Sequence, residues 1–322
     1  MKLLIIVFCK NEAETLGKLL AAMPRKIDGV KTIDVFVLDD GSTDGSADIA
    51  RKTGANVVAD GASKGLAFRF RQAVDLVLAE GADVMVTIDG DMQYLPKDIP
   101  KIAAPVIEGR ADMVAADRFT DPKTGKKYRP ANMPLSKYIG NRLGTKVISR
   151  LSKQTFRDVT SGFRAYSREA LLALNVNSDQ TYTQESFQIL ALKRMRIVSV
   201  PIPVIYYKGR RSRVVASIVS YVANSALNIV RAYRDFAPLR FFFWLGFLPV
   251  VLGVGGGLFS IWHWMHTGMF SPYKFVGITS LYLFSLGIII WLAGILADML
   301  ARVNRTQEKI YEAIKRELYK KD

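Results

Sequence analysis

Two carboxylates and a carboxamide, Asp89, Asp91 and Gln93, follow an apolar, β-branched run that predicts a buried strand over residues 83–88. Gly90, between the two aspartates, permits close approach of the backbone. Hard oxygen ligands on a turn suit Mg²⁺ or Mn²⁺ that keeps open positions for phosphate oxygens. The alternative is a solvated acidic turn, because an Asp-x-Asp sequence alone is common.

Polar residues also follow other predicted strands. Asn11-Glu12 follows a run over 1–9, Asp39-Asp40 follows 33–38, and Asp117-Arg118 follows 111–116. Predicted helices separate these strands, and this alternation predicts a largely parallel α/β sheet, in which ligands bind at the carboxyl ends of the strands. The β-like run over 197–207 contains Pro201 and Pro203, which indicates an edge strand.

The net charge of +16 is concentrated in two stretches. Residues 118–164 contain twelve Lys or Arg and two acids, and residues 193–213 contain seven basic residues and no acid. Such clusters predict an anionic partner, which is nucleic acid, lipid headgroups or a phosphorylated substrate. One cysteine, Cys9, gives no sign of an oxidising compartment, and two histidines argue against His-based zinc or triad chemistry.

Two long uncharged stretches, about 241–265 and 275–297, can each cross a bilayer core of about 30 Å. Trp and Tyr residues lie near their ends, and the outer flanks are rich in Arg and Lys, so both termini and the α/β domain are expected in the cytoplasm. Residues 214–233 predict an amphipathic helix in the membrane interface, or alternatively one packed on the soluble core. A membrane partner is therefore favoured, and nucleic acid is not expected.

These features fit the transfer of a group from a nucleotide-activated donor to an anionic lipid. They are acidic residues at the strand ends, a divalent cation, and clusters of Lys and Arg beside a bilayer. The cation offsets the charge of the departing diphosphate. Arg and Lys side chains hold the acceptor phosphate. Because a phosphate acceptor is already ionised at pH 7, the reaction needs no strong general base.

A series of short motifs along the chain supports this chemistry. They are Asn11-Glu12, Asp39 to Gly45 (D-D-G-S-T-D-G), Lys64-Gly65, Asp89 to Gln93 (D-x-D-x-Q), Asp117-Arg118-Phe119, Asp158 to Arg164 (D-x-x-S-G-F-R), Glu185, Val200-Pro201-Ile202 and Ser212-Arg213. In this order and spacing, with the terminal hairpin, the chain resembles family 2 glycosyltransferases of the GT-A fold. The resemblance is to the polyprenyl-phosphate group, which includes dolichol-phosphate mannose and glucose synthases.

The resemblance implies an α/β fold with a GT-A, Rossmann-like mixed-sheet domain over 1–210. Amphipathic juxtamembrane helices would follow over 211–238, two transmembrane helices within 239–300, and a basic cytoplasmic tail helix over 301–322. The implied activity is inverting transfer of one sugar from a UDP- or GDP-linked donor to polyprenyl (dolichyl or undecaprenyl) phosphate at the cytoplasmic face, with Mg²⁺ or Mn²⁺. The rivals are another lipid acceptor such as diacylglycerol, and a non-catalytic scaffold or flippase partner. The oligomeric state is open, a homo-oligomer included.

The resemblance also implies residue roles. The catalytic residues would be Asp89, Asp91 and Asp158, and the metal ligands Asp89, Asp91 and Gln93. The nucleotide sugar would contact Phe8, Glu12, Asp39, Asp40, Lys64, Asp89, Gly90, Arg210 and Arg211. The acceptor phosphate would contact Arg118, Arg129, Ser136, Lys137 and Arg164.

Several of these residues also have plainer interpretations. Asp44 could only cap the helix that follows Gly45, Asp158 and Arg164 could form a structural ion pair, and Arg118 could be a surface arginine. The chain also departs from the family pattern. Tyr207 stands where many members carry Arg, and the 120–135 loop lacks the usual R-x-x-x-S spacing before Ser136.

Overall fold

The computed structural model describes residues 1–177, 182–207, 230, 233–234 and 237–320. These form two compact units, which are Met1–Ser225 together with Ile310–Asp322, and Ala226–Lys309. The first unit therefore includes the end of the chain as well as the predicted 1–210 domain. Most of the predicted juxtamembrane segment over 211–238, and both Arg210 and Arg211, lie outside the described residues.

A seven-stranded mixed sheet organises the first unit. Its strands are β1 Lys2–Cys9, β2 Thr32–Asp39, β3 Asn56–Ala59, β4 Val84–Asp89, β5 Met113–Asp117, β6 Arg164–Ser167 and β7 Ile197–Pro201. The order across the sheet is β3-β2-β1-β4-β6-β5-β7, which places β7 at an edge, as Pro201 and Pro203 predicted. Strand β1 is central and apolar, and Leu3 to Val7 are completely buried. Burial on both faces is typical of a parallel strand covered by helices.

Helices cover this sheet. In unit 1 they are α1 Ala13–Ala21, α2 Ser46–Lys52, α3 Leu66–Ala79, α4 Ile99–Ile107, α5 Leu135–Ser152, α6 Arg168–Ala173 and α7 Thr183–Leu192. A single 3₁₀ turn, Pro96–Asp98, precedes α4. The helices that connect β1, β2, β3 and β4 return each parallel strand to the same edge, so the polar residues after the strands collect there.

Strand β6, like the helices α6 and α7 that follow it, was not predicted from helix and strand periodicity. It has four residues and pairs antiparallel with both β4 and β5. A short, nearly fully buried strand shows no alternation of polar and apolar residues. Its antiparallel insertion makes the sheet mixed and carries the Asp158 to Arg164 segment against β4, where the Thr87 hydroxyl donates to Gly162 O at 2.7 Å.

The second unit contains one whole helix and most of another, and both helices are long and apolar enough to cross a membrane, by length and composition. They are α8 Pro238–Thr267 and α9 Lys274–Leu318, with mean hydropathies of 1.9 and 2.2 in their most apolar windows. Glycines let their backbones approach closely, because a Cβ on Gly253 would lie 2.6 Å from Phe284 N and one on Gly246 would lie 2.7 Å from Trp291. Large apolar side chains stay exposed on the outward surface of these helices.

The predicted tail helix over 301–322 is not a separate element, because α9 runs without a break to Leu318. Its last turns, from Ile310, belong to the first unit. There Glu312 pairs with Lys193 at 2.6 Å, and Arg316 pairs with Glu169 at 2.8 Å. Lys315 is buried and donates to Leu174 O at 3.1 Å. Charged side chains thus attach the end of the chain to the sheet domain.

Glu312→Lys is expected to release this attachment, because it places a third cation between Lys193 and Arg316. Amide hydrogens of residues 310–318 should exchange about tenfold faster, which corresponds to roughly 1.4 kcal/mol of local stability. Hydrogen exchange with mass spectrometry measures this directly. Glu317→Lys is the matched control, because Glu317 is exposed on the same helix and makes no ion pair among the described residues. Equal exchange in the two variants would contradict the attachment.

Candidate active site

The carboxyl ends of β1, β2 and β4 form one edge of the sheet. Across it, Phe8 is paired with Asp89, and Cys9 is paired with Asp39. The two predicted carboxylate groups therefore flank the end of the central strand, and Glu12 lies immediately before α1. The sequence predicted this meeting because parallel strands end at the same side of a sheet.

Asp39 and Asp44 organise the loop that follows β2. Asp39 accepts from Ser42 N at 2.9 Å and from the Ser42 hydroxyl. Asp44 accepts from Ser46 N, at the start of α2, and from Ala13 N, at the start of α1, at 3.0 Å each. The capping interpretation of Asp44 is therefore confirmed, and it extends to two helices whose N-termini face the same edge.

Asp40 is buried and holds the turn before α3. Its carboxylate accepts from Lys64 N, Gly65 N and the Ser63 hydroxyl, and it pairs with the buried Arg69 at 3.2 Å. Burial raises the pKa of Asp40, but these hydrogen bonds outweigh burial and leave the pKa below its usual value. The Lys64 ammonium pairs with Asp60 at 2.6 Å. Direct contact of Asp40 or Lys64 with a nucleotide stays a prediction. Both side chains already have partners within the protein, Asp40 at the turn before α3 and Lys64 at Asp60.

The Asp89 to Gln93 turn is held against β1 and α1. Gly90 N donates to Phe8 O at 2.9 Å, and the Thr15 hydroxyl donates to Gly90 O at 2.8 Å. Asp91 accepts from Gln93 N at 3.0 Å, and Met92 adopts a left-handed backbone with φ of 57°. Burial, followed by the nearby charges of Asp91 and Glu12, raises the pKa of Asp89 well above its usual value. The charges of Asp91 and Glu12 thus act on Asp89, so a cation beside Asp89 would be favourable.

Arg118 and Asp158 form a buried, bidentate ion pair. Arg118 Nε donates to Asp158 Oδ2 at 2.6 Å, and Nη2 donates to Oδ1 at 2.9 Å. Arg118 is 7% exposed and Asp158 is 0% exposed. Arg118 Nη1 also donates to the Tyr206 hydroxyl at 3.3 Å. Arg118 is therefore not a surface arginine, and the structural partner of Asp158 is Arg118 rather than Arg164.

Arg164 is completely buried beneath the 158–163 segment. Its five N–H donors go to Ser161 O, Val159 O, Thr183 O, the Ser186 hydroxyl and the Tyr166 hydroxyl at 2.6–3.3 Å. Contact of Arg164 with an acceptor phosphate stays a prediction, and these five satisfied donors argue against it. The side chain instead fixes the turn that brings Gly162 to Asp89, where an added Cβ would lie 3.3 Å from Asp89 Oδ2.

Ser136 and Lys137 lie in the first turn of α5, with Lys137 Nζ 5.2 Å from the centre of the Tyr206 ring. Burial and the neighbouring Arg118 lower the pKa of Lys137, whereas the charges of Asp91 and Asp89 act in the opposite direction. None of the described carboxylates lies within 4 Å of Lys137 Nζ. The Lys137 ammonium can therefore bind an anion from outside the protein. Arg129 is exposed on the preceding loop.

Three tyrosines that the sequence did not assign to the site frame it. Tyr207 donates its hydroxyl to Met92 O at 3.1 Å, and Ile205 N donates to Gln93 O at 2.9 Å, so the 205–207 segment supports the Asp89 to Gln93 turn. Tyr206 contacts Arg118, as described above. Tyr182 is completely buried, stacks on Phe70 with centroids 3.9 Å apart, and donates to Gly162 O at 3.2 Å. Of these three tyrosines, the sequence drew attention only to Tyr207, because it stands where many family members carry Arg.

The donor set at Asp89 and Asp91 fits a divalent cation. Two carboxylates whose charges repel each other, with the Gln93 carboxamide two residues on, are hard oxygen ligands. Among the described residues, no group of three or more His, Cys, Asp or Glu side chains is arranged to hold a metal ion. The protein would thus supply only part of a coordination sphere, and phosphate oxygens of a bound substrate could supply the rest. This arrangement suits Mg²⁺ or Mn²⁺.

Comparison with known proteins gives two family matches. Residues 4–174 match the description "Glycosyl transferase family 2", and residues 237–303 match "GtrB C-terminal hairpin". Glycosyltransferase AglJ of Haloferax volcanii is 29% identical over 94% of this chain and 95% of its own length. A dolichyl-phosphate hexose transferase of the same organism is 31% identical over 62% of this chain and 82% of its own.

A solved structure has a similar fold. Glucosyl-3-phosphoglycerate synthase from Mycobacterium tuberculosis, in complex with Mn²⁺, UDP-glucose and phosphoglyceric acid, superposes with a TM-score of 0.52 at 18% identity. The match covers 71% of this chain and 79% of that one. The similarity confirms the GT-A fold that the sequence motifs implied.

Proposed function

The chain belongs to glycosyl transferase family 2, and from that premise we propose that it transfers one sugar from a nucleotide sugar to polyprenyl phosphate. The observation that carries the proposal is that the charges of the buried Arg118 and the half-buried Lys137 act on Asp89, and that Asp91 acts on Lys137. An anionic donor and an anionic acceptor must meet at one point, and this site offers carboxylates for a cation and cations for a phosphate. The terminal hairpin supports a membrane-embedded acceptor, and the name of the dolichyl-phosphate hexose transferase supports its class.

We assign the donor to the edge formed by β1, β2 and β4. Phe8, Glu12, Asp39 and the Gly90 backbone would line the nucleotide side of the site. A divalent cation held by Asp89, Asp91 and Gln93 would offset the charge of the departing diphosphate, as Mn²⁺ in the solved complex of the synthase suggests.

The acceptor phosphate would lie against Ser136 and Lys137, at the first turn of α5, where backbone N–H groups and the helix dipole favour an anion. Its oxygen attacks the anomeric carbon, the bond from that carbon to the diphosphate oxygen breaks, and the electron pair leaves with the nucleoside diphosphate. Attack opposite the departing group inverts the anomeric configuration. A phosphate oxygen is ionised at neutral pH, so no side chain must remove a proton.

We place the sheet domain and both termini in the cytoplasm. The connecting loop of the hairpin, 268–274, carries one Lys and no Arg, whereas the chain beyond Ala301 contains seven basic residues. Positive charge is retained on the cytoplasmic side of membrane helices. Nucleotide sugars would then reach the site from the cytosol.

Lys137→Met is expected to raise the KM for polyprenyl phosphate about tenfold or more, because one charge-assisted hydrogen bond contributes roughly 1.5–3 kcal/mol. The KM for the nucleotide sugar should stay within about twofold, since the donor side keeps its contacts. Initial rates at varied acceptor concentration measure both values. Lys137→Arg should retain most of the affinity. Lys52→Met, which changes an exposed lysine on α2, is the control. An unchanged acceptor KM in Lys137→Met would contradict its assignment.

A further inference from the structure

Helix α5 exposes its large apolar residues. Leu135, Ile139 and Leu143 are 57%, 55% and 50% exposed. Their spacing of four residues places them along one line of the helix surface. Single exposed apolar residues are ordinary on a protein surface, but three in register form a continuous apolar strip.

The opposite face of α5 is buried, and it is mostly polar or small. Its buried residues are Asn141, Gly144, Thr145 and Ile148. The Thr145 hydroxyl accepts from Val159 N at 3.3 Å, so this face packs on the segment that carries Asp158. A helix that only covered a soluble core would bury its leucines and expose its polar residues. The inversion in α5 indicates that its outer face meets a second apolar medium.

The sequence around this strip is strongly basic. Residues 122–157 contain ten Lys or Arg and no Asp or Glu. Lys146 and Arg150 are exposed and continue the line of Leu135, Ile139 and Leu143 along the helix. Apolar residues followed by cations on one face are the pattern of a helix that lies at the surface of an anionic bilayer.

We propose that this line, Leu135, Ile139, Leu143, Lys146 and Arg150, which we call the α5 ridge, docks on an anionic lipid bilayer. The three apolar side chains enter the boundary between headgroups and acyl chains, and the two cations lie at lipid phosphates. The ridge begins in the same turn as Ser136 and Lys137. Docking therefore holds the acceptor-binding turn at the depth of lipid phosphates, so that a prenyl phosphate reaches the site without leaving the leaflet.

Depth-dependent quenching tests the docking without any measurement of activity. A fluorophore is attached to Ile139→Cys in the full chain, in nanodiscs that contain anionic lipid and either a lipid-borne or a water-soluble quencher. The control is Leu192→Cys, because Leu192 is 53% exposed on another helix. Cys9 is buried, so the unmodified chain gives the labelling background.

The lipid-borne quencher should act at least about threefold more strongly at 139 than at 192, because position 139 lies on the ridge that enters the interface and position 192 does not. Lys146→Glu with Arg150→Glu should remove most of that difference. Equal lipid quenching at the two positions would overturn the proposal. Protection of position 139 from both quenchers would also overturn it, since another part of the chain or a second copy would then cover the ridge.

A second experiment measures activity and connects docking with sugar transfer. This experiment rests on the proposed function. Ile139→Asn with Leu143→Asn should lower transfer to long-chain polyprenyl phosphate in anionic nanodiscs about tenfold, and should leave transfer to a short, water-soluble prenyl phosphate within about twofold. An equal loss on both acceptors would show that the ridge supports folding rather than docking. Failure of the unmodified chain on both acceptors would reject the proposed function and leave the quenching result standing.

Discussion

Asp91→Asn is expected to lower the rate of sugar transfer by about a thousandfold, because stabilisation of charge on the departing group is commonly the largest catalytic effect. Asp91 accepts a hydrogen bond from Gln93 N at 3.0 Å, and an Asn side-chain oxygen can still accept it. The turn should therefore keep its shape while it loses one negative charge. Transfer measured across a range of Mn²⁺ and Mg²⁺ concentrations tests this expectation.

Asp48→Asn is the matched control, because Asp48 is exposed on α2 and pairs only with Arg51 among the described residues. Its transfer rate should equal that of the unmodified chain. Removal of divalent cations with a chelator should reproduce the effect of Asp91→Asn in the unmodified chain and be reversed by Mn²⁺ or Mg²⁺. Retention of more than about a tenth of the transfer rate in Asp91→Asn would contradict the assignment of this carboxylate to the metal site.

Asp158→Asn is expected to destabilise the sheet domain by about 3–5 kcal/mol, because it leaves the buried Arg118 without its charge partner. The two side chains make two hydrogen bonds to each other at 2.6 and 2.9 Å with almost no solvent contact. Thermal unfolding of the purified chain measures the loss. Arg51→Met serves as control, since Arg51 and its partner Asp48 are both exposed, and the change should alter stability by no more than about 0.5 kcal/mol.

The double variant Arg118→Met with Asp158→Leu separates structure from function. Replacing both charges removes the unpaired ion, so stability should recover in large part. Transfer should stay lost, because Arg118 belongs to the cationic side of the proposed acceptor site. Recovery of transfer together with stability would show that the pair is only structural. Full stability in Asp158→Asn would show that Arg118 finds another partner.

The carboxylate edge of the sheet could be predicted from sequence because it depends on local rules. Apolar runs ended at Asp39 and Asp89, and parallel strands bring such ends together. The hairpin followed from length and hydropathy alone. The partner of Asp158 could not be found this way, since Arg118 lies forty residues earlier in the chain. That pairing depends on the antiparallel insertion of β6, which no periodicity predicts.

The sequence also did not reveal which polar and charged side chains are buried. Arg164 is a cation in a basic stretch, and the sequence suggested a phosphate ligand, but all of its donors serve the chain itself. Tyr206 and Tyr207 reached the site because the chain after β7 returns to the Asp89 to Gln93 turn. Only three-dimensional packing distinguishes such supporting residues from ligands of the substrate.

The central claim is that this chain joins a nucleotide sugar to polyprenyl phosphate, and one assay tests it most directly. The purified full chain in nanodiscs receives UDP- or GDP-linked radiolabelled sugars with Mn²⁺ or Mg²⁺, and either polyprenyl phosphate or diacylglycerol. We expect the label to appear in a polyprenyl-phosphate sugar, with one nucleoside diphosphate released for each sugar transferred. No labelled product should form on diacylglycerol. Transfer to diacylglycerol alone, or binding of nucleotide sugars without transfer to polyprenyl phosphate, would contradict it.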